Sequence, residues 1–194
     1  MKRVCVFCGS RTGTNPVHAE TARAVGRALV ARGWGLVFGG GRIGLMGEVA
    51  AAATAAGGEV IGVIPHVLSA VEIAYSGATE LIVVGTMHER KAIMADRADA
   101  FVALPGGYGT CDELFEILTW SQLGIHRKPV VVLNVAGFFH PLLAWADHMV
   151  SEGFLKPKHR ARLLVADTIP DLFATLDGWQ PPPDEGAWAK LDER

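Results

Sequence analysis

The chain alternates between short apolar runs and longer segments whose apolar residues recur at helical spacing. Runs rich in Val, Ile and Phe stand at Arg3–Cys8, Gly35–Phe38, Glu59–Ile64, Glu80–Val84, Asp99–Leu104 and Pro129–Leu133, the last reading as the final strand. None alternates apolar with polar residues, as strands covered on both faces of a parallel sheet do not. Between them, Asn15–Arg32, Leu45–Ala56, Met87–Arg97 and Tyr108–Leu123 have helical periodicity. Helices near Phe138–Ser151 and Pro170–Leu176 close the pattern, and Pro65–Gly77 reads as irregular. The prediction is an α/β fold: a single doubly wound, Rossmann-like domain over residues 1–179, with a mainly parallel sheet and ligands at the carboxyl ends of its strands. Residues 180–194, with prolines and then mixed charges, read as a loosely held tail.

Composition narrows the class of function. A chain of 194 residues, half hydrophobic and a fifth charged, is long enough for one well-buried domain. A net charge of -2 without a basic run gives no footprint for nucleic acid. No apolar stretch approaches a membrane span, and Met1-Lys2-Arg3 runs straight into a strand, so a cytoplasmic protein is expected. Three cysteines are too few for a disulfide framework. Cys5 and Cys8 form a C-x-x-C, but strand spacing sends them to opposite faces, as buried structural residues. The histidines are scattered, so no metal site is expected.

Three glycine turns follow strands: Cys8–Gly13, Phe38–Gly44 and Leu104–Gly109. In the third, Pro105-Gly106-Gly107-Tyr108-Gly109-Thr110 lies where a strand becomes a helix. Such a junction offers free N–H groups and a positive dipole end to a phosphate. The second turn matches G-x-G-x-x-G through Gly39, Gly41 and Gly44, with Glu59 near the distance of a ribose-binding acid. It follows the second strand rather than the first, and Glu59 opens its strand, so a dinucleotide site is not expected. No Gly-Lys-Ser/Thr marks a Walker loop.

Glu113 has two readings. Placed in the first helical turn, it completes Thr110-x-x-Glu113, which fits a capping box. It equally fits a catalytic carboxylate at the edge of the phosphate cradle.

With these residues together, the chain resembles the Lonely Guy (LOG) family of cytokinin riboside 5'-monophosphate phosphoribohydrolases over about Val4 to Leu176. The family's P-G-G-x-G-T-x-x-E is complete as Pro105–Glu113, and its M-H-x-R-K stands as Met87–Lys91. Gly39–Gly47 matches G-G-G-x-x-G-L-M-G, Cys8–Gly13 matches C-G-S-x-x-G, and Thr119–Gly124 follows the family pattern. Arg11 departs from it, standing where the family commonly has a small residue.

The resemblance implies hydrolysis of the N-glycosidic bond of an adenine-type nucleoside 5'-monophosphate, giving free base and ribose 5-phosphate. It implies Arg90 and Glu113 as the catalytic pair. Substrate contacts would come from Glu72, Arg90, Lys91, Gly107, Tyr108, Gly109, Thr110 and Glu113, with Gly9, Ser10, Gly40 and Gly41 from the other turns. It also implies a homodimer with both subunits near each site, and no cofactor. Related sequences have carried a lysine decarboxylase label, yet nothing points to a pyridoxal-phosphate lysine; Lys91 is the only motif lysine and is explained as a phosphate contact.

The chemistry is consistent with these residues. Glycosidic cleavage builds positive charge on the ribose, which a fixed carboxylate stabilises or relieves by activating water. A helix dipole at Glu113 would favour the ionised form. A guanidinium does not give up its proton in proteins, so Arg90 would clamp phosphate or ribose hydroxyls and hold Glu113. His88 is a nearby histidine with no assigned part. Two alternatives stay open: a purine nucleotide nucleosidase of broader specificity that accepts AMP, and a nucleotide-binding module without turnover.

Overall fold

A computed structural model describes residues 2–69 and 73–182. Seven parallel strands are β1 (Arg3–Phe7), β2 (Gly35–Phe38), β3 (Val60–Pro65), β4 (Glu80–Val84), β5 (Ala100–Ala103), β6 (Val130–Leu133) and β7 (Leu163–Ala166). Their order is β4-β3-β2-β1-β5-β6-β7. The helices are α1 (Val17–Ala31), α2 (Gly44–Ala55), α3 (His66–Ser69), α4 (Met87–Arg97), α5 (Tyr108–Gln122), α6 (His140–Ser151), α7 (Pro157–Arg160) and α8 (Ile169–Gly178). Among the described residues, no helix is long and apolar enough to cross a membrane.

The sheet separates two apolar layers. On one face Ala22, Val25 and Leu29 of α1, Leu45 and Val49 of α2, and Leu172 and Leu176 of α8 pack on Val4, Val6, Leu36 and Phe38. On the other, Met94 of α4, Leu114 and Ile117 of α5, and Phe139 beside α6 pack on Cys5, Phe7, Val37 and Phe101. Alternate residues of each strand therefore enter opposite layers, which is why the strands carry no polar alternation. Cys5 and Cys8 fall in opposite layers, and burial pushes both thiols above the ordinary range. Glu59 meets Arg3 at 2.7 Å at the amino-terminal edge, away from the glycine turns. That position agrees with the rejection of a dinucleotide site.

Pro129–Leu133 is not the final strand. Leu163–Ala166 adds β7, pairing Val130 with Leu163 through Leu133 with Ala166. Only four residues long and half covered, it offered a weak apolar signal. The stretch Pro65–Gly77 is irregular only in part, because α3 opens it and Ala74 bridges back to Gly41. Residues 183–194, most of the expected loose tail, lie outside the described residues.

Candidate active site

Strand order reverses beside β1: β2, β3 and β4 run to one side and β5 to the other. The loops leaving β1 and β5 therefore diverge and open a crevice at the carboxyl edge. Its floor is tied together by backbone. Gly9 N–H donates to the Pro105 carbonyl at 3.0 Å, and Leu45 N–H donates to the Gly9 carbonyl at 2.9 Å. A Cβ on Gly106 would lie 2.1 Å from Thr110 Oγ1 and 2.9 Å from the Gly9 nitrogen, so only glycine allows this approach.

Helix α5 starts at the crevice with Gly107 as its N-cap. The first intrahelical bond runs from Cys111 N–H to the Gly107 carbonyl, which leaves the N–H groups of Tyr108, Gly109 and Thr110 facing outwards along the axis. Gly107 and Gly109 have open space where a Cβ would stand, and the Tyr108 side chain is 97% exposed. Free donors, a dipole end and unoccupied volume make a cradle for an anion.

The capping-box reading of Thr110 and Glu113 is overturned. The chain becomes helical at Tyr108, so no acid occupies the first turn and no side chain caps α5. Thr110 packs under Gly106 instead, and Glu113 lies more than a turn into the helix, on its buried side. There Arg90 Nη1 donates to Glu113 Oε1 at 2.6 Å, with the two side chains 8% and 9% exposed. Arg90 Nε donates to the Val63 carbonyl at 3.0 Å. The guanidinium fills the space above Gly39, where a Cβ would come within 2.0 Å of Nη2.

The electrostatics of Glu113 change accordingly. Burial pushes its carboxyl above the ordinary value, and Arg90 pulls part of that rise back. Glu113 lies beyond the first turn, where the dipole at the helix end would favour the ionised form; burial dominates, with a net affinity for protons higher than usual.

Lys91, one residue from Arg90, is also buried. Its Nζ lies 3.1 Å from both Asp112 Oδ2 and Glu116 Oε1 on α5. Burial works against this ammonium, but the two carboxylates outweigh it and hold its pKa above the ordinary value. Sequence reasoning gave Asp112 and Glu116 no part; their i, i+4 spacing facing a motif lysine was the available signal.

The remaining residues sort by position. Gly9 is buried in the floor and Ser10 is exposed at the rim. Gly40 and Gly41 lie on the loop after β2, which is zipped to the segment after α3. Tyr75 N–H donates to the Gly40 carbonyl at 2.8 Å, and Arg42 N–H to the Ile73 carbonyl at 2.7 Å. Glu72 precedes that segment and lies outside the described residues. His88 is exposed on α4. No group of His, Cys, Asp and Glu fit for a metal occurs among the described residues.

Fold and site together define a Rossmann-like α/β domain carrying a buried Arg–Glu pair beside a helix N-terminus open to an anion. Comparison with known proteins specifies the family. Residues 46–176 match the family model described as "Possible lysine decarboxylase". The chain is 51% identical over 180 residues to the probable cytokinin riboside 5'-monophosphate phosphoribohydrolase LOGL9 of Oryza sativa subsp. japonica, covering 93% of this chain and 79% of that one. It is 49% identical to LOG7 of Arabidopsis thaliana, covering 95% and 85%. It is 48% identical to the cytokinin riboside 5'-monophosphate phosphoribohydrolase of Rhodococcoides fascians, covering 90% and 89%. Among solved structures, the molybdenum cofactor carrier protein of Chlamydomonas reinhardtii shares the fold, with a TM-score of 0.69 at 23% identity over 91% of this chain and 96% of that one. The chain belongs to the family of cytokinin riboside 5'-monophosphate phosphoribohydrolases, the LOG family.

Proposed function

We propose that this protein hydrolyses the N-glycosidic bond of adenine-type nucleoside 5'-monophosphates of the cytokinin class, releasing free base and ribose 5-phosphate. The observation that carries the reading is the buried Arg90–Glu113 pair at 2.6 Å, set more than a turn along the helix whose N-terminus forms the cradle. Glu113 stands four residues beyond Gly109, about 6 Å along the axis at 1.5 Å per residue. That is comparable with the span from a 5'-phosphate to C1′ of the same nucleotide. A phosphate on the N–H groups of Tyr108, Gly109 and Thr110 brings C1′ close to the carboxylate.

In the reaction, water attacks C1′ as the C–N bond breaks. The proton of that water passes to Glu113 and from there to solvent, and the bonding electrons leave with the base, which takes up a proton from solvent. Burial that raises the proton affinity of Glu113 suits it as the base, and its charge offsets the oxocarbenium-like ribose. Arg90 keeps the carboxylate in place and limits the rise. Thr110, Gly107, Tyr108, Gly9, Ser10, Gly40 and Gly41 line or shape the crevice in this reading. Glu72 is assigned to it by the family resemblance and Lys91 by the family motif, Lys91 acting through the position of α5.

A homodimer belongs to the same reading. Val67 and Leu68 of α3, Leu81 and Val83 of the edge strand β4, and Met87 at the start of α4 are exposed apolar side chains at the β4 edge of the domain. An uncovered face on an edge strand is protected when a second copy covers it. A cytoplasmic setting and a catalytic domain spanning residues 1–179 complete the proposal.

The test is chromatographic detection of free base after separate incubation with isopentenyladenosine 5'-monophosphate and AMP. Faster release from the isopentenyl nucleotide is expected. Comparable release from AMP would make it a broader nucleotide nucleosidase, and no release from either would refute hydrolysis. Light scattering tests the dimer; a mass near the 20.6 kDa of one chain would refute it.

A further inference from the structure

We infer that Arg11 supplies the side-chain cation that meets the substrate phosphate, a role the motif would give to Lys91. The inference rests on the phosphoribohydrolase reading above. A phosphate in the α5 cradle is held by neutral backbone donors, and a cationic partner strengthens such binding. The two buried motif cations are already committed. Lys91 contacts both Asp112 and Glu116, and Arg90 spans Glu113 and the Val63 carbonyl.

Arg11 stands on the other wall of the crevice. The Arg11 carbonyl lies 3.0 Å and the Gly106 Cα 3.2 Å from the position of a Cβ on Gly9, so its backbone adjoins the Pro-Gly-Gly turn. A Cβ on Gly44 would lie 2.3 Å from the Arg11 nitrogen, which fixes the loop against the start of α2. The residue is exposed. Among the described residues, its guanidinium takes part in no hydrogen bond or ion pair. It is thus a phosphate-binding cation on an anchored loop beside the cradle, free to form a bidentate pair with phosphate oxygens.

The experiment compares the parent with Arg11→Ser and Arg11→Lys. Calorimetry reads binding of ribose 5-phosphate, and initial rates read KM and kcat for the nucleotide. Arg11→Ser is expected to weaken ribose 5-phosphate binding about tenfold or more, the scale of one hydrogen bond to a charged group. The nucleotide KM rises in the same proportion while kcat changes less, and Arg11→Lys falls between. Inhibition by adenosine, which has no phosphate, stays the same in all three proteins. Ribose 5-phosphate binding within twofold of the parent in Arg11→Ser overturns the inference. So does an equal loss of adenosine inhibition, which would indicate a disturbed loop. If the parent releases no base from any nucleotide, the hydrolase reading fails, and the calorimetry still decides whether Arg11 holds the phosphate.

Discussion

Replacing Arg90 by Met removes the cation from a carboxylate that is 9% exposed and leaves the Val63 carbonyl without its donor. Breaking a buried ion pair by removing one partner costs about 3–5 kcal/mol, because the other charge stays buried. For a domain of this size each kcal/mol lowers Tm by about 2–4 °C, so Arg90→Met should melt roughly 6–20 °C below the parent. The loss depends on pH in a direction that identifies its cause. With Arg90 present, burial already raises the Glu113 pKa; without it, the restraint on that rise is gone. A group whose folded pKa is raised contributes stability that is present below its unfolded value and lost as pH rises through the folded one. Near pH 4.5, the ordinary value for Glu113, the variant protonates Glu113 and loses little. Towards neutrality the charge must be carried unpaired, and the gap in Tm widens.

Calorimetric melting from about pH 4.5 to 8 provides the assay, with base release measured alongside. The acid limb of the parent's rate profile should lie above the ordinary carboxyl value of 4.5 and move higher still in Arg90→Met. Glu113→Gln should lower base release by about 10²-fold or more, the range for a lost general base. The double variant Arg90→Met/Glu113→Leu removes both charges. It should recover most of the stability and none of the activity. A Tm gap independent of pH, or Arg90→Met melting within about 2 °C of the parent at the neutral end of that range, would refute the claim that an unpaired Glu113 charge is what Arg90 prevents.

The glycines of the site should separate into two kinds. Gly39→Ala and Gly106→Ala bring a Cβ to 2.0 Å from Arg90 Nη2 and 2.1 Å from Thr110 Oγ1, so both should lower melting temperature and activity together. Gly109→Ala enters open space on a helix, so thermal melting should show it stable, by about 0.5–1 kcal/mol more than the parent, while the nucleotide KM rises. Ala136, after β6, holds a φ of 51°, a left-handed conformation costly for any residue with a Cβ. Ala136→Asn should therefore raise stability by up to about 1 kcal/mol in denaturant titration, Asn tolerating that region. The Arg3 bond lowers the Glu59 pKa, so its contribution is present above 4.5 and lost as pH falls through the folded value. Glu59→Gln should flatten the acid limb of the stability profile and leave base release unchanged.

Much of this protein was legible because its glycine turns and apolar runs are local signals with fixed consequences. Six of the seven strands follow from runs of Val, Ile and Phe, and the loops that meet at β1 and β5 from the glycine turns behind two of those runs. The weak points were those where a local pattern has two outcomes. Thr-x-x-acid occurs at Thr86–Glu89, Thr110–Glu113 and Thr168–Asp171. In the first, Glu89 N–H donates to Thr86 Oγ1 at 3.1 Å, and Glu89 Oε2 accepts from Gly85 N–H at 2.9 Å. In the third, Asp171 N–H donates to Thr168 Oγ1 at 3.2 Å. Both are caps. In the second the helix has already begun at Tyr108, because Gly107 takes the cap position, and the pattern is shifted inwards. Thr110 then becomes a packing residue under Gly106, and Glu113 turns to Arg90, 23 positions earlier in the chain.

No window of residues around Glu113 contains that partner. What distinguishes the site from the two caps is the cost of burying a carboxylate, which is tolerable only where a guanidinium from another helix reaches it. A cap carboxylate stays near solvent and helps its own helix. Glu113 does the reverse: it is taken from solvent, which raises its proton affinity, and held by Arg90, which limits the rise. The burial that would suit this glutamate to act as a base is the same feature that a local reading cannot see.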